Sequence, residues 1–339
     1  MHKRLRIHIA VAMGWGILFF PAFLPAVEIT PFYTQNQSPM IQIFGLPSIG
    51  DPVLVPARKA DLRFIIDLAN NFFQDDNQRE SIVLDGQSTR MSLDVRYGIS
   101  KNFEVGLAVP YIIQSGGFTD GFIDWYHTTF GFSSGGRDQA PKNRLLYQYQ
   151  KDQQVLLKVD KSSHGIGDIQ MMGGFQLYQS PIKPSRAISL RTSLKLPTGD
   201  SQQLHGSGST DLSLWLTAGE DFRPGIGPMT LFGAGGVMGM TDGDVLKDQQ
   251  RNWVGFGVLG LGWSPARWIA FKIQANGHTS FYKNSELEEL TGSSVQLTIG
   301  GTLAFSKNIN LDLGVTEDLL DRASPDVVFH LALRASFQK

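Results

Sequence analysis

The chain has 339 residues, 42% of them hydrophobic and only 18% charged, with 37 glycines and 22 phenylalanines. A formal net charge of −1, from 30 basic and 31 acidic side chains, excludes the basic profile of a nucleic-acid binder, and the apolar and aromatic content excludes a disordered chain. The absence of cysteine excludes a disulfide framework, an iron–sulfur cluster, a thiolate zinc site, a cysteine nucleophile and a lipid-anchor cysteine.

The first element reads as an export signal. Lys3, Arg4 and Arg6 precede an apolar core from Ile7 to Phe20, and Pro21, Pro25 and Ala26 supply a cleavage region. Cleavage after Ala26 is expected; the competing reading is an N-terminal membrane anchor. Residues 27–59 follow, with Pro31, Pro39, Pro47, Pro52 and Pro56, and read as an irregular periplasmic lead-in. Phe44 and Leu46 are placed to plug a lumen from below.

From Ala60 onward the dominant signal has period two. Leu62, Phe64, Ile66 and Leu68 share one face, and Asp61, Arg63, Ile65 and Asp67 the other. The alternation recurs at Met91, Leu93, Val95 and Tyr97, at Phe103, Val105, Leu107 and Val109, and on to Phe329, Leu331, Leu333 and Phe337. Twelve strands are expected, at 60–71, 82–98, 102–114, 165–178, 186–197, 209–220, 228–240, 252–263, 267–278, 292–305, 308–316 and 326–337. Most are about twice the ordinary strand length, with one apolar and one polar face. Short turns such as 98–102 and 306–308 alternate with long polar loops such as 71–80, 115–164 and 241–251. This predicts an all-β fold, a transmembrane antiparallel β-barrel of about 12 strands over residues 60–339, with both termini in the periplasm. Near Val258 and Leu259 the apolar parity slips, which predicts a bulge or tight curvature. A soluble propeller is the runner-up, because hairpins recur 44, 42 and 40 residues apart. Each period holds two long strands rather than four short ones, which favours the barrel.

Several motifs imitate chemistry. Gly255, Gly257 and Gly260 match a dinucleotide fingerprint, yet they lie within an expected strand with no helix after it. His127 lies near Asp124 and Ser133, and His164 near Ser162, Ser163 and Asp168, so either could begin a Ser-His-acid arrangement. Asp242, Asp244 and Asp248 share an outer loop without the spacing of a full calcium loop. No catalytic residue, metal ligand or cofactor is assigned.

The inward faces carry the informative charges. The expected pore-lining set is Arg63, Asp67, Arg90, Asp94, Arg96, Glu104, Asp168, Arg191, Lys195, Lys272, Asp312, His330 and Arg334. With Asp61 and Asp211 included, seven acids face seven Lys and Arg, a balance without the excess of one sign that dedicated anion or cation pores show. Such charges either flank a narrow conducting path or pair across the interior and fill it.

The loop 115–164 is the longest connection, and Phe118, Phe122, Trp125, Phe130 and Phe132 make it too apolar to float in solvent. It is placed to fold into the mouth, and Leu145–Tyr149 with Val155–Val159 could pair as a hairpin above the membrane. The run from Phe130 to Asp138, Pro141 with Asn143 and Arg144, and Gly165-Ile166-Gly167-Asp168 resemble a family of uncharacterised Gram-negative outer-membrane proteins, known as a domain of unknown function. The Leu196–Asp200 turn is similar to one in outer-membrane transporters associated with aromatic-degradation pathways. The resemblance spans most of residues 60–337 and implies an outer-membrane barrel with a transport role. One departure is that Phe337, in place of a C-terminal aromatic, is followed by Gln338 and Lys339. In the long loop, Arg137 and Asp138 are expected as the ordering pair, Gly135 and Gly136 as the residues allowing a tight path, and Asn143 as part of the motif.

The reading is a Gram-negative outer-membrane channel or transporter for passive diffusion of an unidentified small solute past a mixed-charge constriction. Its expected partners are outer-membrane lipid, lipopolysaccharide and the barrel assembly machinery, with no nucleic acid. The alternatives are an outer-membrane hydrolase and a closed structural or adhesive barrel that binds a partner through its loops.

Overall fold

The computed structural model describes residues 27–118, 121, 141–182, 185–320 and 323–337. The expected signal peptide and Gly135, Gly136, Arg137, Asp138 and His127 lie outside the described residues.

Fifteen strands are present: β1 (Ala60–Asp76), β2 (Glu80–Ser100), β3 (Phe103–Ser115), β4 (Leu146–Lys151), β5 (Gln154–Val159), β6 (Ser163–Ile166), β7 (Gln170–Gln179), β8 (Arg186–Lys195), β9 (Asp211–Phe222), β10 (Met229–Met240), β11 (Trp253–Ala266), β12 (Ile269–His278), β13 (Ser294–Ala304), β14 (Ile309–Asp318) and β15 (Val327–Phe337). Twelve of them, all but β4, β5 and β6, form a closed antiparallel ring, sealed where β15 pairs with β1 from Ala60↔Phe337 to Asn70↔Val327. Closure leaves no unpaired edge around the ring, which a chain crossing hydrocarbon requires.

The apolar faces point outward. Phe64, Leu93, Leu107, Leu214, Ile273 and Leu333 are all exposed, while Asp61, Arg63, Asp67, Asp94 and Arg96 are buried inside. Exposed Tyr97, Phe103, Phe175, Phe271, Phe305 and Phe337 gather near the short-turn end, as an interfacial aromatic girdle does.

Three local departures from the expected strands have physical causes. The connection 71–80 shrinks to a turn at 77–79, because β1 and β2 stay paired to Asp76↔Ser81. Ile82 and Leu84 on that extension are buried, and β4 adds to it from Glu80↔Lys151 to Asp85↔Leu146. The single strand expected at 165–178 divides into β6 and β7, because Pro110 opposite the break has no N–H to give the ladder. The Gly167 N–H instead donates to the Pro110 carbonyl at 2.8 Å.

The third departure corrects the expected bulge near Val258. The β10–β11 register runs unbroken from Met229↔Trp263 to Gly239↔Trp253, and the shift lies farther on, between Trp263 and Ala266. The apolar parity slips in the sequence because these strands are apolar on both faces. Phe232, Met238, Val254 and Phe256 point inward and are buried. Gly260 makes room there, since a Cβ on it would lie 2.2 Å from the Phe232 ring. The dinucleotide-like glycines are therefore packing residues in β11.

An apolar lumen wall needs an apolar partner, and residues 27–59 supply it. This segment is irregular, as expected, but it lies inside the barrel rather than as a lead-in below it; Phe32, Met40, Ile41, Ile43, Phe44 and Ile49 are all buried.

Candidate functional site: the lumen and its internal plug

The plug is a hairpin-like excursion through the lumen. Its ascending limb starts at the short-turn end, where the Val27 N–H donates to the Arg267 carbonyl at 2.8 Å. It climbs beside β12 at a constant sequence separation of 242. Lys272 Nζ donates to the Thr30 carbonyl at 3.1 Å, the Phe32 N–H to Gln274 Oε1 at 2.8 Å, and the Tyr282 hydroxyl to the Met40 carbonyl at 2.9 Å. Asn36 Nδ2 lies 2.9 Å from His278 Nε2. The constant offset follows from an extended limb rising at nearly the strand's own pitch, against side chains that all face inward.

The tip, near Met40–Phe44, reaches the outer end. It packs in one apolar cluster with Leu84, Tyr147 and Tyr149 of the β2–β4 extension and with Leu246, Phe281 and Leu290 of outer loops. Phe44 stacks on Phe281 with ring centres 4.9 Å apart. Phe44 and Leu46 therefore act at the outer mouth and the upper lumen, not from below. The expected β4–β5 hairpin is present, pairing Tyr147↔Val159 and Tyr149↔Leu157, and the buried Tyr147 and Tyr149 join it to the cap over the tip.

The descending limb follows β9 and then crosses to β3 and β7. The Gly45 N–H donates to Asp211 Oδ2 at 2.7 Å, and Trp215 Nε1 and Thr217 Oγ1 both donate to the Ile49 carbonyl at 2.9 Å. The Leu54 N–H donates to Gln176 Oε1 at 2.9 Å and the Val55 N–H to Glu104 Oε2 at 2.7 Å. The limb ends against the β2–β3 turn, where a Cβ on Gly98 would lie 2.2 Å from the Pro56 carbonyl oxygen. Only glycine admits the backbone so closely.

All thirteen residues expected on the inner face turn inward. Eleven are buried, and Asp312 and Arg334 keep side-chain exposures of 13% and 17%. The geometry collects them into groups rather than spreading them along one path. At the outer end Lys195 lies 2.6 Å from Asp168 and 3.3 Å from Asp211, and it donates to the Ile43 carbonyl of the plug at 3.2 Å. Lys272 pairs with Asp312 at 2.9 Å and lies 3.9 Å from the Phe32 ring centre. Midway, His330 Nδ1 is 2.7 Å from Asp67, which also accepts from Gln37 of the plug at 3.2 Å. Arg90 donates to the Gln42 carbonyl at 3.1 Å, and among the described residues no carboxylate lies within ion-pair distance of it.

The periplasmic end holds four buried or half-buried arginines. Arg63 meets Asp51 at 2.8 Å and Asp61 at 2.9 Å, and Arg334 meets Asp61 at 3.0 Å. Arg96 meets Asp94 at 3.3 Å and Glu104 at 3.2 Å, while Arg191 meets Glu104 at 2.6 Å. The Arg63 guanidinium lies 3.7 Å over the Tyr33 ring. Beside this group a cavity of about 210 Å³ opens between the plug and the wall. A smaller one of about 40 Å³, sharing Tyr33, continues to mid-lumen past Arg90, Ser92 and Asp94.

The other sequence candidates do not converge. His164 pairs with the Tyr111 hydroxyl, while Ser163 Oγ lies 3.1 Å from His205 Nε2 instead. Asp168 is engaged by Lys195, by the Gly199 N–H at 2.8 Å and by the Ser207 N–H at 3.2 Å. Burial holds His205 below its usual pKa of 6.5, with the neighbouring His164 acting in the same direction. Asp244 accepts from Ser201 at 3.1 Å and Asp242 from Asn252 at 3.0 Å, and among the described residues no group of three metal-ligating side chains forms. Asn143 adopts a positive φ of 54° just before β4.

Sequence reasoning missed the plug's extent. The available signal was its composition: Phe32, Tyr33, Met40, Ile41, Ile43, Phe44 and Ile49 are too many apolar side chains for a segment left in water.

A closed twelve-stranded ring with lipid-compatible outer faces, interfacial aromatics and a filled polar lumen defines a plugged outer-membrane β-barrel. The chain belongs to the family described as Protein of unknown function (DUF3187), which it matches over residues 7–337. No curated protein matches it. Its fold is similar to the COG4313 outer membrane channel from Pseudomonas putida F1, with 11% identity, a TM-score of 0.54, and coverage of 85% of this chain and 98% of that one. The NanC porin aligns at 6% identity and a TM-score of 0.44, covering 83% and 100% of the two chains. The CymD monoaromatic hydrocarbon channel aligns at 12% identity and a TM-score of 0.36, covering 91% and 94%. At these identities the likeness concerns the fold alone.

Proposed function

We propose that the protein is a gated outer-membrane channel for small polar solutes, closed in the present state by residues 27–59 and opened by displacement of the descending limb. One observation carries the reading: the contact between plug and wall is incompletely satisfied, and open space runs along part of it. Among the described residues, Tyr33 Oη, Gln35 Nε2, Gln37 Oε1, Asp51 Oδ1 and both amide atoms of Gln42 are buried without a hydrogen-bond partner, as are Ser189 Oγ, Asn276 Nδ2, Gln296 Nε2 and His330 Nε2 of the wall. The first six belong to the plug, and two cavities, lined in part by Tyr33, Gln35 and Asp51, run between it and β1, β2, β3, β7, β8 and β15. A barrel filled for good gains from pairing every buried polar group, because each orphan costs about 1–3 kcal/mol. Orphans beside a water-sized cleft suit an interface that parts. The similarity in fold to an outer-membrane channel supports the same reading.

Free diffusion through a standing mixed-charge constriction is not what this state offers, so the passive path requires the plug to move. The test is conductance of the refolded chain in planar bilayers, with and without residues 30–58. Rare openings in the full chain and a steady large conductance in the deletion variant are expected. A deletion variant that shows the heat-dependent gel mobility of a folded barrel, yet passes no current, overturns the channel reading in favour of a structural barrel.

A further inference from the structure

We propose that the arginine cluster at the periplasmic end of the lumen is a binding site for a small carboxylate-bearing solute, and that Asp51 of the plug occupies it as an internal stand-in. This rests on the plugged-channel reading and names the chemistry of the solute.

The first argument is charge. The wall contributes four arginines, Arg63, Arg96, Arg191 and Arg334, against three buried carboxylates, Asp61, Asp94 and Glu104, an imbalance of 4 − 3 = +1. Within the buried cluster Asp51 supplies the missing charge, reaching Arg63 at 2.8 Å and Arg334 at 3.8 Å, while Glu28, its side chain 63% exposed, meets Arg334 at 3.2 Å at the cluster's edge. When the limb carrying Asp51 leaves, the wall keeps a buried positive excess, and a solute carboxylate restores neutrality. Guanidinium groups match a carboxylate through paired N–H donors, which an ammonium cannot do.

The second argument is unused hydrogen-bonding capacity. Among the described residues, Arg63 Nη1, Arg191 Nε and Tyr33 Oη are buried without a partner near Asp51, whose Oδ1 is likewise without one. Three groups able to donate outnumber the one free acceptor, so the site has capacity for additional acceptors. Tyr33, Asp51 and Arg191 line the cavity of about 210 Å³, which has space for a small organic body attached to such a carboxylate.

The third is the backbone at the site. Gly50 has a φ of +73°, and a Cβ there would lie 2.8 Å from the Arg191 guanidinium carbon and 2.9 Å from an Arg96 nitrogen. The plug is thus shaped to bring Asp51 into the guanidinium cluster rather than merely to pass it.

The test uses the full mature chain in detergent, titrated with succinate and, at equal ionic strength, with uncharged succinamide. Binding is read by calorimetry and folding by heat-dependent gel mobility. Asp51→Asn keeps the shape and removes the competitor, so succinate should bind it at least tenfold more tightly than wild type, with succinamide inert on both. Arg191→Gln in the Asp51→Asn background should lose that gain. Absence of succinate binding to folded Asp51→Asn, or equal binding of succinamide, overturns the proposal. Succinate binding with no conductance in any variant supports the site and overturns the channel reading. Conductance without succinate binding does the reverse.

Discussion

Locking the descending limb to the wall should close the channel. Pro52 and Gly219 offer the place: a Cβ on Gly219 would lie 3.3 Å from the Pro52 Cβ, just short of the usual disulfide range of about 3.5–4.5 Å, so a slight backbone shift admits the bond. The chain contains no other cysteine to compete for the bond. In Pro52→Cys/Gly219→Cys, the expected effect is set by what release of the lower limb costs. Five contacts hold it: Asp51 to Arg63, Arg191 to the Asp51 carbonyl, Gln176 to the Pro52 carbonyl, Leu54 to Gln176 and Val55 to Glu104. At roughly 1 kcal/mol net apiece, release costs about 5 kcal/mol, a displaced fraction on the order of one in five thousand. The reduced variant should therefore show brief openings at about that probability, and the oxidised variant none, with recovery on adding reductant. The crosslink closes a loop of about 168 residues, which the chain-entropy treatment values at about 5 kcal/mol, so resistance to heat unfolding should rise in the oxidised form. Single-channel recording before and after reduction is the assay. Equal currents from the oxidised and reduced forms would refute a moving limb, because a covalent tie leaves it no displaced state.

Three further outcomes follow from the same contacts. A parallel lock on the ascending limb, Ile29→Cys/Gly262→Cys, where the Cβ separation is 3.5 Å, should leave the openings intact, as bilayer recording would show. Lys195→Met strips the cation from buried Asp168 and Asp211, and should destabilise the barrel by about 3 kcal/mol, seen as an earlier loss of the folded gel band on heating. His205, in the outer loop between β8 and β9, is held below its usual pKa of 6.5 by burial, so the folded loop binds fewer protons than the unfolded one. Its contribution is then full above pH 6.5 and falls as the pH drops below that value. Protease cleavage of this loop should accelerate below pH 6.5, and His205→Gln should flatten that dependence.

The barrel was legible because its physics is local. A strand between lipid and a polar lumen must alternate, so Leu62, Phe64 and Ile66 against Asp61, Arg63 and Asp67 state the membrane-facing side residue by residue. Legibility failed where the lumen was not polar. At Phe232, Met238, Val254 and Phe256 the inner face is apolar because the plug covers it, and a non-local partner leaves no period of its own. The plug itself has no repeating pattern, since its backbone groups are satisfied by wall side chains such as Gln274, Asp211 and Gln176 rather than by a ladder. Its register on β12 exists only in three dimensions. The inner charges were identifiable one by one, but their partners were not, because pairs such as Lys272 with Asp312 are far apart in sequence.

The even count of inner charges conceals an uneven arrangement along the lumen. At the outer end Lys195 stands against Asp168 and Asp211, a local sum of 1 − 2 = −1. At the periplasmic end four arginines stand against Asp61, Asp94 and Glu104, a local sum of 4 − 3 = +1. Lys272 with Asp312, and Arg90 with Asp67, cancel between them. Seven against seven is therefore a lumen polarised from mouth to exit, and the plug answers each end with opposite chemistry. Its Gly45 N–H donates to Asp211 at the negative end, and its Asp51 carboxylate enters the arginines at the positive end. Under the proposed gating, a solute that replaces the plug's lower limb would inherit the second contact, and one with a carboxylate would make it best. If the proposed gating holds, selectivity should follow the site uncovered as the limb leaves rather than the net charge of the wall, and exchanging Asp51 should alter it more than exchanging a paired wall charge.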